Sequence, residues 1–78
     1  LRYYQELSRQ VAIYQTMLLP EAQLILEAAD KRLNSGEIGY LQWVMLVNQS
    51  VSIRNEYSDV VQRHNETAFE LEQLNGSN

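Results

Sequence analysis

Cysteine is absent from this chain, which excludes both a disulfide framework and a thiolate metal site. Proline occurs once and glycine three times, and 45 % of the residues are hydrophobic, a balance that argues against disorder. Alternating runs of Val, Ile and Thr bounded by turns are missing, so a sheet has no basis in the sequence. No apolar run approaches the roughly 18 residues of a membrane-spanning helix, and no signal peptide is present. Basic residues are scarce: six Lys and Arg lie scattered among ten Asp and Glu, for a net charge of −4. Nucleic-acid binding needs clustered Lys and Arg, so that class is excluded as well. The 78 residues allow one small domain. The chain opens at Leu1 in mid-pattern, without an initiator Met, and so reads as a piece of a longer protein.

What is present is helical periodicity, broken in the body of the chain only at Asn34-Ser35-Gly36-Glu37-Ile38-Gly39-Tyr40. Lys31 and Arg32 stand just upstream, where the negative end of a helix favours cations. Gly36 can adopt positive φ without steric cost and suits the position just past a helix end. Glu37 is expected in the first turn of the next helix, where a carboxylate is favoured. One unbroken helix through this stretch would carry two glycines at about 1 kcal/mol each. The better reading is an all-α, long antiparallel helical hairpin: a first arm over about 1–35, a tip over 34–40 and a second arm over about 38–74. Residues 75–78 read as a cap followed by a tail.

In the first arm Tyr4, Leu7, Val11, Tyr14, Leu18, Ala22, Ile25, Ala29 and Leu33 recur at steps of three and four. Their mean step is near the 3.6 of a straight helix. Arg2–Glu6 and Glu27–Lys31 have the spacing of outer i,i+4 ion pairs. Pro20 interrupts the arm, and because the stripe continues in phase across it, a kinked continuous arm is expected rather than two helices. In the second arm Leu46, Ser50, Ile53, Tyr57, Val60, His64, Thr67, Leu71 and Leu74 follow a heptad, with three polar members that weaken it as a dry seam. Nearer the tip, 38–47 is apolar almost all round, more than one partner arm can bury. A two-helix rod of about 35 residues per arm, on the order of 50 Å long, has no enclosed core. It is expected to pack into a four-helix or larger bundle by self-association, or against its parent.

Candidate chemistry is thin. His64 is the only histidine and has no second ligand at metal spacing, so it reads as a seam residue. Glu66, Glu70 and Glu72 read as a solvated face, and Met17 and Met45 as packing residues. No hydroxyl has a local His or Lys base and no Gly-rich phosphate loop occurs, so the residues point away from an enzyme and call for no cofactor. Three matches to the glycosylation sequon, at Asn48, Asn65 and Asn75, have the look of chance in Asn- and Ser-rich helices. Packing accounts for Tyr4, Tyr14 and Tyr57. Tyr40 and Trp43, one step past the turn, would be exposed at the rod end and so mark a docking surface.

Leu19-Pro20-Glu21-Ala22, then Ser35-Gly36-Glu37-Ile38-Gly39-Tyr40-Leu41, then Tyr57, then Glu70-Leu71-Glu72-Gln73-Leu74-Asn75-Gly76 together resemble the outer membrane efflux protein (TolC-like) family, across nearly the whole chain. They look like the second helical hairpin of its repeat, with an LPxA element, a GxxxYL-like element after the tip and a closing ELxxLxG. The run from Gly36 to Gln42 is most similar to the branch linked or fused to heavy-metal (CzcA/CusA-type) resistance–nodulation–division cation efflux pumps. The resemblance implies a trimeric periplasmic helical tunnel in the bacterial cell envelope, topped by an outer-membrane barrel and fed by a proton-driven pump. It implies that a periplasmic adaptor meets the tip, here Ser35, Gly36, Glu37, Ile38, Gly39 and Tyr40, with Trp43 beside them. His64-Asn65 departs from the family's aromatic-Asn pair, and the strands and first hairpin are not in this chain. Two rival readings remain open: the α-hairpin of a periplasmic membrane-fusion adaptor, and a generic coiled-coil oligomerisation module.

Overall fold

The computed structural model describes residues 2–76, and among them only 35–39 lie outside a helix and no strand occurs. The first arm comprises α1 (Arg2–Ile13), a π-helical turn (Tyr14–Leu18) and α2 (Leu19–Asn34); the second is α3 (Tyr40–Gly76). Contacts such as Ser8 with His64, Tyr14 with Glu56 and Asp30 with Trp43 show the arms running antiparallel. The molecule is a rod of 64 × 18 × 14 Å. Its radius of gyration is 17.7 Å, against about 11.5 Å for a compact chain of this length.

The two stripes meet along this rod. Every member of the first is buried or half-buried, and so is every member of the second except Leu74 at the far end. The fully covered positions are Leu7, Ala22, Ala29, Val60 and Ser50. Three of those five are small: Ala22 meets Ser50 midway along the rod, and Ala29 lies near the tip. Ser50, polar where a heptad calls for an apolar side chain, donates to the Ala22 carbonyl at 3.0 Å. No buried side-chain polar atom is left unpaired among the described residues, so the polar seam positions do not carry the desolvation penalty of orphaned groups.

Eight steps carry the first stripe from Tyr4 to Leu33, and eight carry the second from Leu46 to Leu74, in one residue fewer. The π-helical turn accommodates that difference, because it holds an additional residue within one turn while the flanking helices keep their faces on α3. Leu19 N–H bonds the Tyr14 carbonyl, five residues back. Pro20 follows immediately, within the first two positions of α2. Its ring would press on the Thr16 carbonyl in a regular helix, and Thr16 lies inside the π-helical turn. The irregularity expected at Pro20 therefore lies one turn earlier, in a continuous arm. Across this turn Tyr14 donates to Glu56 and Gln15 donates to Tyr57, each at 3.0 Å. Burial, reinforced by the Glu56 carboxylate, pushes the Tyr14 phenol up from its ordinary pKa.

Several local expectations are corrected. The second arm begins at Tyr40, two residues late, and helix continues through Asn75 and Gly76; Ser77 and Asn78 lie outside the described residues. Glu6 pairs with Arg9 at 2.7 Å rather than with Arg2, and that bond holds the Glu6 carboxyl below its usual range. Glu27 accepts from Gln23 at 3.3 Å instead of pairing with Lys31. Met17 and Met45 point to solvent and do not pack in the seam. Both sit off the stripes, where the opposite arm does not reach.

If the π turn holds the additional residue, deletions should differ by place. In a Pro20→Ala background, removing Met17 should shift Tm by less than the 4–8 °C that roughly 1 kcal/mol represents. Removing exposed Gln23 should lower Tm by well over that, because it turns the flanking seam residues about 100° out of register. Equal losses, read by far-ultraviolet circular dichroism, would discard this account. Ala22→Leu tests the close approach: overpacking there should destabilise by about 1–3 kcal/mol in chemical denaturation.

Candidate functional site

The tip is built from local hydrogen bonds. Gly36 has φ of 79°, the one positive value among the glycines. Gly36 N–H bonds the Leu33 carbonyl at 3.1 Å and Glu37 N–H bonds the Arg32 carbonyl at 2.9 Å. These are the two bonds of a Schellman motif, which satisfies carbonyls that a helix end leaves orphaned. Ser35 Oγ adds a bond to the Arg32 carbonyl at 3.1 Å. Glu37 is therefore part of the stop of α2 and not of the first turn of α3. Its carboxylate lies 3.8 Å from Arg32 across exposed surface, a pair of small energetic weight.

Gly39 caps α3: its carbonyl accepts from Trp43 N–H at 3.0 Å, and its own N–H donates to Gln42 Oε1 at 2.9 Å. Gln42, the third helical residue, thus makes one half of a capping box, the half that Gly39 would return being absent for want of a side chain. The tip turns the chain without a side chain from either arm in its hydrogen bonding beyond those neighbours.

Trp43 is half-buried, and its indole Nε1 donates to Asp30 Oδ1 at 2.9 Å, joining the end of α2 to the first turn of α3. Tyr40 lies against it, ring centroids 5.8 Å apart and planes tilted by 30°. Of the seven residues expected at the docking surface, Ser35, Gly36, Glu37, Gly39 and Tyr40 are exposed, while Ile38 and Trp43 are half-buried. Tyr40 is 67 % exposed, but Leu41 at 77 % and Met45 at 71 % project further into solvent. Leu41 belongs to the apolar excess of 38–47 that one arm does not bury, whereas Met45 is a surface residue and not a packing one. Stepping the heptad backwards from Leu46 reaches Trp43 and Gly39 and passes Leu41 and Met45 by, and that offset was readable. Ile38, Gln42, Met45 and Leu46 line a shallow open depression beside the tip.

At the other end of the rod, Ser8 Oγ and His64 Nε2 lie 3.0 Å apart, with the Tyr4 ring stacked on His64 at 4.9 Å. A hydroxyl does therefore meet a histidine, across the seam rather than locally. Nucleophilic activation also needs a group orienting the second ring nitrogen and free N–H donors for an oxyanion. Among the described residues no carboxylate bonds His64, and both residues sit inside helices whose N–H groups serve the ladder. The pair acts as a seam hydrogen bond. Glu66, Glu70 and Glu72 are exposed, and among the described residues no three of His, Cys, Asp and Glu come together as a ligand set.

Compared with known protein families, curated proteins and solved structures, the chain matches none.

Asp30→Ala should release the indole. Helicity should be unchanged, stability should fall by about 0.5–1.5 kcal/mol, and emission from the single Trp should move to longer wavelength. An unshifted spectrum would mean that Asp30 does not hold the tip.

Proposed function

We propose that this chain is a non-catalytic hairpin segment of the helical tunnel wall in a TolC-like outer-membrane component, or pump fusion, of a cation or heavy-metal efflux system. Its tip docks the periplasmic adaptor, and its flanks pack on neighbouring hairpins in a bundle of four or more helices. The observation that carries this reading is the tip: a hydrogen-bonded reversal at the end of a long rod, flanked by exposed Tyr40 and by Trp43 braced on Asp30. Large aromatic side chains presented on a rigid support are what a binding hot spot requires. The quoted motifs agree with it, since Leu19-Pro20-Glu21-Ala22 opens α2, Ser35 to Leu41 spans the reversal, and Glu70 to Gly76 ends α3.

Binding of the cognate adaptor to the full-length parent protein tests this. Trp43→Ala and Tyr40→Ala should each weaken it at least tenfold, about 1.4 kcal/mol, with helicity nearly unchanged. Undiminished binding would remove the docking role. Binding to an outer-membrane channel in place of an adaptor would identify the hairpin as the adaptor's own.

A further inference from the structure

Five tyrosines are spread over the chain, and the fold brings two of them together. Tyr14 opens the π-helical turn of the first arm, and Tyr57 lies opposite it on α3. Their ring centroids are 6.0 Å apart with the planes tilted by 40°, a separation at which aromatic side chains are in direct contact. Among the described residues no other two tyrosine rings meet: Tyr4 stacks on His64, Tyr40 lies against Trp43, and Tyr3 is exposed. Tyr14 and Tyr57 belong to different arms, so their rings meet only in the folded hairpin.

Both phenol oxygens are engaged by residues on the rim of the seam. Tyr14 donates to Glu56 Oε2 and Tyr57 accepts from Gln15 Nε2, each at 3.0 Å. Glu56 and Gln15 are exposed, whereas the two tyrosines are half-buried. The seam holds the rings while their oxygens lie at its edge, within reach of an oxidant in solution. Burial and the neighbouring carboxylate keep the Tyr14 phenol protonated. An electron taken from it must be matched by a proton, and Glu56 stands at hydrogen-bonding distance to receive that proton.

We propose that Tyr14 and Tyr57 are a dityrosine site, at which one-electron oxidation joins the two arms covalently midway along the rod. The oxidant is of the haem peroxidase class and consumes hydrogen peroxide. It takes one electron from Tyr14 as the phenol proton passes to Glu56, leaving a phenoxyl radical. It takes a second from Tyr57, whose hydroxyl proton leaves to water. The two radicals pair in a carbon–carbon bond between ring positions ortho to their oxygens. Each bonded carbon then sheds its hydrogen as a proton, each oxygen takes one up, and both rings are phenols again. Two electrons and two protons have left the pair, and they reduce one hydrogen peroxide to two waters. The bond closes the chain from Tyr14 to Tyr57 into a loop and constrains the unfolded state as a disulfide would, in a sequence without cysteine. The site is independent of adaptor docking at the tip.

Treatment of the full chain with a haem peroxidase and hydrogen peroxide tests the site. The expected product is a monomer lighter by two hydrogens, with the blue emission of dityrosine and a Tyr14–Tyr57 crosslink in its peptide map. Closing so long a loop should raise Tm by at least about 10 °C. Tyr57→Phe keeps the ring and removes the phenol, and should abolish the product with helicity retained. Tyr3→Phe should leave the yield unchanged. Glu56→Gln still accepts the Tyr14 hydrogen bond but takes no proton, and should slow formation at least about tenfold. An unchanged rate would overturn the proton transfer. Tyrosines joined only between chains, or oxidation confined to Trp43, would overturn the site. So would an equal intramolecular yield in denaturant, where the fold no longer brings the rings together.

Discussion

Two helices packed side by side can each bury a single stripe, and the rest of this molecule follows from keeping those two stripes in register over the length of a rod. There is no third layer to cover an error. The seam is closed midway by Ala22 and Ser50, so what fits there is decided by size more than by hydrophobic weight. Where polar side chains enter the seam they are matched in place: Ser50 by the Ala22 carbonyl, His64 by Ser8. The same constraint explains the π-helical turn. A straight-helix stripe in one arm and a heptad stripe in the other drift apart by one residue over eight steps, and a wider turn beside Pro20 lets both arms face each other at both ends.

Most of this architecture was legible in the residues. The stripe positions of both arms are those that the structure covers, Leu74 excepted, and Gly36 occupies the left-handed position its place after Lys31 and Arg32 foretold. What escaped was geometry that depends on two elements at once. The one-residue mismatch appears only when the stripes are counted against each other, so Pro20 alone drew attention to the wrong turn. Charge alone points Glu37 to the helix after it, but the Schellman bonds tie its backbone to the helix before it. Met45 reads as packing from its residue type, whereas its offset from the Leu46 heptad places it outside the seam. Asp30 as the partner of Trp43 had no sequence signal, since the pairing depends on the exact length of the turn.

The tip and the outer face of α3 divide the surface of the rod into two kinds. At the tip the aromatic residues are held: Trp43 by a hydrogen bond to the other arm, Tyr40 by its neighbour's ring. Along the outer face Leu41 and Met45 are flexible chains on a regular helix, with no charge nearby to orient a partner. An aromatic edge held in this way suits selective recognition.

The turn also sets an order of events. Its hydrogen bonds are all between near neighbours in the chain, so it can form before the arms have met. From there the separation between interacting residues grows steadily: 13 for Asp30 with Trp43, 28 for Ala22 with Ser50, 56 for Ser8 with His64. Each doubling of the loop that must close adds only about 0.6 kcal/mol of entropy loss, and each contact formed shortens the loop left for the next. The hairpin should therefore zip from Gly36 outward and fray in the reverse order, leaving the tip as the part of the rod that is assembled first and lost last.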